Sequence, residues 1–156
     1  GRETCAAWIY DPVGDRMAGA ETGAGAYLNG ERLQAAKAAP VGEMAGILHI
    51  GTFPSAAFRH DLERRRERVK TLKSPRCAGH EYIALAGGQS HFSLFSRTKP
   101  WDHVPGVLLY QEAGGVGRLI DNRPYTPLDH DGPGILLAPD EASWQALHET
   151  LIAEAA

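Results

Sequence analysis

Cysteine is nearly absent from this sequence, and its scarcity excludes a good deal. Cys5 and Cys77 stand far apart with no CxxC spacing, so neither a disulfide framework nor a zinc cluster organises the chain. Two lone thiols fit a reducing, cytoplasmic setting. No apolar run approaches the roughly 20 residues of a membrane helix, so no membrane partner is expected. Charge of one sign is also lacking. The net charge is −3, without the basic excess of a nucleic-acid footprint, and no nucleic-acid partner is expected. Internal repeats and low-complexity tracts are missing, as are a signal peptide and a starting Met. Gly1-Arg2-Glu3-Thr4 runs almost at once into an apolar segment, which reads as a chain that begins partway through a larger protein. What remains is ordinary globular material. With 156 residues, 43% of them hydrophobic, there is enough to bury one core.

The first third reads as antiparallel. Ala6 to Tyr10 is a β-prone run closed by Asp11-Pro12-Val13-Gly14-Asp15, and Met17 to Glu21 can return beside it. Asn29-Gly30, a strong hairpin signal, precedes Glu31-Arg32-Leu33. The glycines at 23 and 25 mimic a phosphate loop, but Leu28 stands where the third glycine belongs and no helix follows.

Beyond a linker-like Ala35 to Pro40, strands and helices alternate. Gly46 to Ile50 is a buried-strand candidate, and Ala56 to about Lys70 a helix whose mixed charges form a solvated face around Phe58, Leu62 and Val69. A short strand at Thr71 to Lys73 is followed by a helix over Cys77 to Ala86, ended by Gly87-Gly88. Cys77 and His80 lack a second ligand pair, so small residues at this helix start point to close packing or close approach of a ligand. Ser90-His91 has no G-x-S-x-G elbow around it. His91 to Phe95, Gly115 to Asp121 and Gly134 to Ala138 read as strands. Asp129-His130-Asp131 reads as a turn, and Pro139-Asp140 introduces a last helix with a Trp144, Leu147, Leu151, Ile152 stripe. Together these predict a layered α/β or α+β arrangement.

One helix stands out, running from Asp102 through Pro105 to a stop at Gly114-Gly115. Asp102 is a favoured N-cap residue, and Pro105 is placed in the first turn, where its missing N–H costs nothing. A carboxylate at a positive helix end either caps the helix or holds a cation that shares a phosphate. Both readings are open from these residues alone.

Three segments together resemble the inositol monophosphatase family of magnesium-dependent phosphomonoesterases. Trp101-Asp102-His103-Val104-Pro105-Gly106 followed by Glu112-Ala113-Gly114-Gly115 resembles the W-D-x-A-x-G … E-A-G-G signature. Ile9-Tyr10-Asp11-Pro12 with Gly25-Ala26-Tyr27-Leu28-Asn29-Gly30 is similar to the Y-D-P strand and G-A-[FY]-x-N-G turn, and Cys77-Ala78-Gly79 sits at a G-[ST]-A-A helix start. The resemblance implies the family's layered α/β fold, with an antiparallel N-terminal segment (1–50) followed by an α/β part (51–156) containing a mixed sheet. It implies Asp102 as the catalytic metal ligand, Mg2+ as cofactor, Cys77 and Ala78 as substrate-binding residues, a small phosphate monoester as substrate and a homodimer. His103 is assigned no role as a base and is expected at the surface; Arg97 and Lys99 are candidate phosphate attractors.

Two departures shape the expectation. The family's Glu-Glu element and D-P-x-D-G-T segment are not in this sequence, and one carboxylate cannot build a cage for cooperating ions. The chain is therefore expected to be a C-terminal portion of a longer phosphatase and inactive in isolation; magnesium-dependent turnover by the pure 156-residue chain would overturn this. Phe95 occupies the place, six before the Trp, where the family often has a hydroxyl-binding acid, and Arg76 and Cys77 replace the Gly and Ser/Thr of the helix start. Another sugar phosphate or a nucleotide 3′-phosphate thus stays open as substrate. So does a non-catalytic structural or interaction module that keeps the fold.

Overall fold

A computed structural model describes residues 3–153. Gly1-Arg2 of the N-terminal segment lies outside the described residues. The chain builds two sheets with helices between and behind them. The first is an antiparallel meander of β1 (Ala6–Asp11), β2 (Arg16–Glu21), β3 (Gly25–Leu28) and β4 (Glu31–Arg32). Its turns follow from local chemistry. Asp11 accepts the backbone N–H groups of Val13 and Gly14 and pairs with Arg16 at 2.8 Å. That guanidinium, with the Gly14 N–H, holds the Asp11 carboxyl down at about 2. Asn29 and Gly30 both have positive φ, at 49° and 85°, as a primed two-residue hairpin requires.

Alternation gives the meander two unlike faces. Ala7, Ala18, Ala20 and Ala26 are buried inward, whereas Trp8, Tyr10, Met17 and Tyr27 are exposed on the other side. The antiparallel sheet ends at Arg32, so the expected division at residue 50 lies past its last strand, and β5 (Ala45–Leu48) already belongs to the second sheet.

That second sheet has the order β6-β5-β7-β9-β8, with β6 at Lys70–Thr71, β7 at Phe92–Phe95, β8 at Val116–Leu119 and β9 at Ile135–Ala138. β5 runs parallel to β6 and β7; β9 is antiparallel to β7 and β8. The sheet is mixed, as expected. Every residue of β7 and β9 is buried, because helices cover both sides, and such strands read as apolar runs. On one side Phe95, Ile135 and Leu137 join α2 (Ala78–Ala86), α3 (Pro100–Glu112) and the inner face of the first sheet in one core. On the other, Phe92, Leu94, Leu136 and Ala138 pack with α1 (Ala56–Arg65) and α4 (Glu141–Leu151) through Leu62, Trp144, Leu147 and Leu151. The order of layers is sheet, α2 and α3, sheet, α1 and α4.

Close packing of α2 on α3 is set by one residue. A Cβ on Gly106 would lie 2.1 Å from the Tyr82 ring, so this position of the Trp-Asp motif takes no side chain. The start of α3 corrects the sequence reading. Lys99 is the N-cap and Pro100 the first helical residue, a place whose N–H is unpaired anyway. Asp102 therefore sits inside the first turn and does not cap, and Pro105 falls in the second turn, where it removes one helical hydrogen bond.

Candidate active site

Among the described residues four α-helices begin, and they begin in two ways. Ser55 caps α1 by accepting the Phe58 N–H at 3.2 Å, and Asp140 caps α4 by accepting the Ser143 N–H at 2.7 Å. By contrast, Cys77 at α2 and Lys99 at α3 make no side-chain cap. The two uncapped starts open on the same cavity, about 350 Å³ in volume. Helix N-termini carry unpaired N–H groups and partial positive charge, so they favour an anion.

Asp102, Cys77 and Ala78 all line this cavity, brought together although 25 residues separate the motifs. Asp102 is exposed, and its carboxylate makes no hydrogen bond or ion pair among the described residues. Most other acidic groups of the folded core are engaged. Glu81 is held by His49 and Ser93, Asp129 by Thr126, Asp140 by Ser143 and Glu112 by Gly23 and Gly25. Arg76 and Arg97 also reach the cavity, and their guanidinium groups form no ion pair among the described residues. Arg76 keeps a positive φ of 57°, a conformation that favours glycine and costs a side chain about 1 kcal/mol. Lys99 is differently placed. It pairs with Asp131 at 2.5 Å, away from the Asp102 cavity.

His103 is buried, contrary to the surface position expected. Its Nδ1 lies 3.0 Å from the Tyr82 hydroxyl, and its ring meets Phe95 edge-on at 4.7 Å. Burial, with help from the nearby His49, pushes its pKa down to about 4, so it is neutral at pH 7. The sequence reading also missed His49 and Glu81. Glu81 is 1% exposed, and both its oxygens lie 3.0 Å from His49 Nε2, while Ser93 Oγ donates to Oε1 at 2.7 Å. The available signal was a carboxylate standing directly before the apolar run Tyr82-Ile83-Ala84-Leu85-Ala86 of the same helix.

A larger cavity, about 560 Å³, opens against Val104, Val107 and Leu108 on another face of α3. Its α3 carboxylate, Glu112, is committed to the backbone, whereas Asp102 in the smaller cavity is unengaged among the described residues. Glu112 accepts the N–H groups of Gly23 and Gly25, one on each oxygen at 2.9 Å. The E-A-G-G segment and the glycine turn are thus two halves of one contact.

The sequence profile described as the inositol monophosphatase family matches residues 1–156. The chain belongs to the inositol monophosphatase family. It is 32% identical over 126 residues to inositol-1-monophosphatase of Bacillus subtilis, covering 78% of this chain and 47% of that protein. Fructose-1,6-bisphosphatase/inositol-1-monophosphatase of Thermotoga maritima is 29% identical over 108 residues, 69% of this chain and 41% of that protein. The crystal structure of extragenic suppressor protein suhB from Bartonella henselae superposes with a TM-score of 0.82 at 20% identity, covering 96% of this chain and 58% of that one, and shows a shared fold. The chain spans about half the length of the curated relatives it matches. The family is one of phosphatases and is generally metal-dependent. Among the described residues no helix is long and apolar enough to cross a membrane.

A divalent cation suits part of this site. Asp102 offers an unengaged hard oxygen donor beside two anion-favouring helix starts, the ligand type that Mg2+ takes together with water and substrate phosphate. Among the described residues, no group of three or more His, Cys, Asp or Glu side chains converges on a metal position.

Proposed function

We propose that the cavity at the starts of α2 and α3 is the C-terminal share of a magnesium-dependent phosphomonoesterase site, in which Asp102 is one metal ligand. The observation that carries this reading is the coincidence in one cavity of an unengaged carboxylate and two uncapped helix N-termini. A divalent ion held there would polarise the phosphoryl group and activate water for in-line attack. The chain's own part is binding and orientation. The first-turn N–H groups of α2, beyond Cys77 and Ala78, face an anionic or hydroxyl-bearing group, and Arg76 and Arg97 draw the phosphate in by charge. His103, neutral and buried against Tyr82, stiffens the helix turn that presents Asp102. The other acidic ligands would come from the part of the relatives' length that this chain does not match, which makes it the C-terminal portion of a longer enzyme.

The substrate class supported is a phosphate monoester of a small alcohol or sugar. The Thermotoga relative is named for both a fructose bisphosphate and inositol monophosphate. Phosphate release by the full-length protein, with and without magnesium, over inositol phosphates, sugar phosphates and nucleotide bisphosphates tests the reading; no release from any of them would sink it. A second reading, a module that keeps the fold without the chemistry, draws on Asp102 standing without a converging ligand set among the described residues. Magnesium titration separates the two. Heat of binding that disappears in Asp102→Asn supports the enzyme, and identical titrations of both proteins support the module.

A further inference from the structure

The buried pair beneath the cavity has no part in the function so far assigned. Glu81 is 1% exposed and takes the Ser93 hydroxyl on Oε1 at 2.7 Å. His49 Nε2 lies 3.0 Å from both oxygens of the same carboxylate. Nε2 is the ring nitrogen that faces both carboxylate acceptors, an arrangement suited to a hydrogen on Nε2 that points inward. The ring is also fixed in plane, stacked on Phe95 with centroids 4.8 Å apart and 14° between planes. Yet His49 is not a core residue. Its side chain is 26% exposed, it lines the 350 Å³ cavity, and its Nδ1 has no hydrogen-bond partner among the described residues. The nearest hydroxyls are turned to one another and to the backbone: Thr52 hydrogen-bonds to Ser96 and donates to the His49 carbonyl at 3.1 Å. Phe95 is apolar wall.

We propose that His49 is a substrate-contacting residue whose Nδ1 accepts a hydrogen bond from a hydroxyl of the phosphorylated alcohol, and that Glu81 is the positioning residue that fixes its tautomer. The inference rests on the phosphatase reading of the cavity and deepens it. The substrate it names is a phosphate monoester with a free hydroxyl close to the esterified one. A carbon skeleton lacking that hydroxyl leaves Nδ1 unpaired against an aromatic wall, so the site discriminates by a missing hydrogen bond.

The test compares two ligands of one shape. Glycerol 2-phosphate and isopropyl phosphate share a branched three-carbon skeleton, and only the first has hydroxyls. Calorimetric titration in the presence of magnesium is expected to show glycerol 2-phosphate bound about three- to tenfold more tightly, the worth of one hydrogen bond. His49→Phe keeps an aromatic ring against Phe95 and is expected to abolish the preference between the two esters, with inorganic phosphate titrated alongside to show that the anion site is still formed. Equal binding of the two esters by the unaltered protein, or a preference that survives His49→Phe, overturns this proposal and leaves the phosphatase reading standing. Failure of both esters and of inorganic phosphate to bind overturns the two together. A ligand-free measurement covers the positioning role. Nitrogen NMR of the histidines is expected to show His49 held as the Nε2–H tautomer and released to a mixture in Glu81→Gln; a mixture already present in the unaltered protein removes Glu81 from that role.

Discussion

The two ends of α3 contain one carboxylate each and use them in opposite ways. At the C-terminal end Glu112 closes on two backbone N–H groups of the Gly23–Gly25 turn, and Gly114 and Gly115 complete the stop by returning their N–H groups to Gln111 and Tyr110. At the N-terminal end Asp102 makes no such contact, and the helix start is left uncapped. A helix with one end tied to the first sheet and the other open to a cavity separates stability from chemistry along its own axis. Ten residues are enough for that separation because both adjacent layers hold the middle of the helix, through the buried Val107 to Tyr110.

Substitution of Asp102 gives the largest expected difference between the ends. Asp102→Asn is expected to lower magnesium-dependent phosphate release by the full-length protein at least 100-fold, about 3 kcal/mol of transition-state stabilisation. The thermal midpoint of the metal-free chain is expected to stay put, because an exposed carboxylate without partners contributes little. A clear fall in that midpoint would show the open end to be structural after all.

Next in size is a pH effect at the same end. His103 titrates at about 4 in the folded chain, against an ordinary value of 6.5, because its charged form is desolvated. Between those values the unfolded state binds more protons, so stability rises with pH across the window and is lost as pH falls through it. The full shift corresponds to about 3 kcal/mol. Denaturant midpoints of the metal-free chain from pH 7 to pH 4 should fall accordingly, and His103→Phe should flatten the slope. A slope unchanged by His103→Phe would place the lost stability elsewhere, for instance in the acidic groups of the turns.

How much of this contrast could be read beforehand depends on the range of the interactions. The Asn29-Gly30 hairpin, the α4 stripe with its Asp140 cap and the Gly114 stop are local, and each was legible from a few neighbouring residues. The start of α3 was misread because Asp102 is a good capping type, although Pro100 at a first helical position was the better signal. The burial of His103 was illegible for a different reason. It depends on where α2, α3 and β7 come to lie, and no window of sequence contains that. The coupling of Glu112 to Gly23, 89 residues away, belongs to the same class. The family resemblance placed both motifs in order but not in contact.

The closed end yields smaller effects. Glu112→Gln retains the shape and one good acceptor but turns an amide donor toward a backbone donor, so one contact becomes repulsive. A loss of about 1–2 kcal/mol is expected, read as a lower denaturant midpoint, with magnesium titration of the cavity unchanged. Altered magnesium binding in this variant would mean that the two ends communicate through the helix.

Gly114→Ala is the mildest probe and the most local. Gly114 has φ +98°, and open space surrounds the position of a Cβ, so alanine meets backbone strain and no clash. About 1 kcal/mol is expected from that strain alone. Because the Glu112 contacts do not pass through residue 114, the losses of Glu112→Gln and Gly114→Ala should add in the double variant if cap and clamp are independent. A double variant less destabilised than the sum would show that the left-handed cap is what aims Glu112 at the glycine turn, making the closed end of α3 one cooperative unit instead of two adjacent devices.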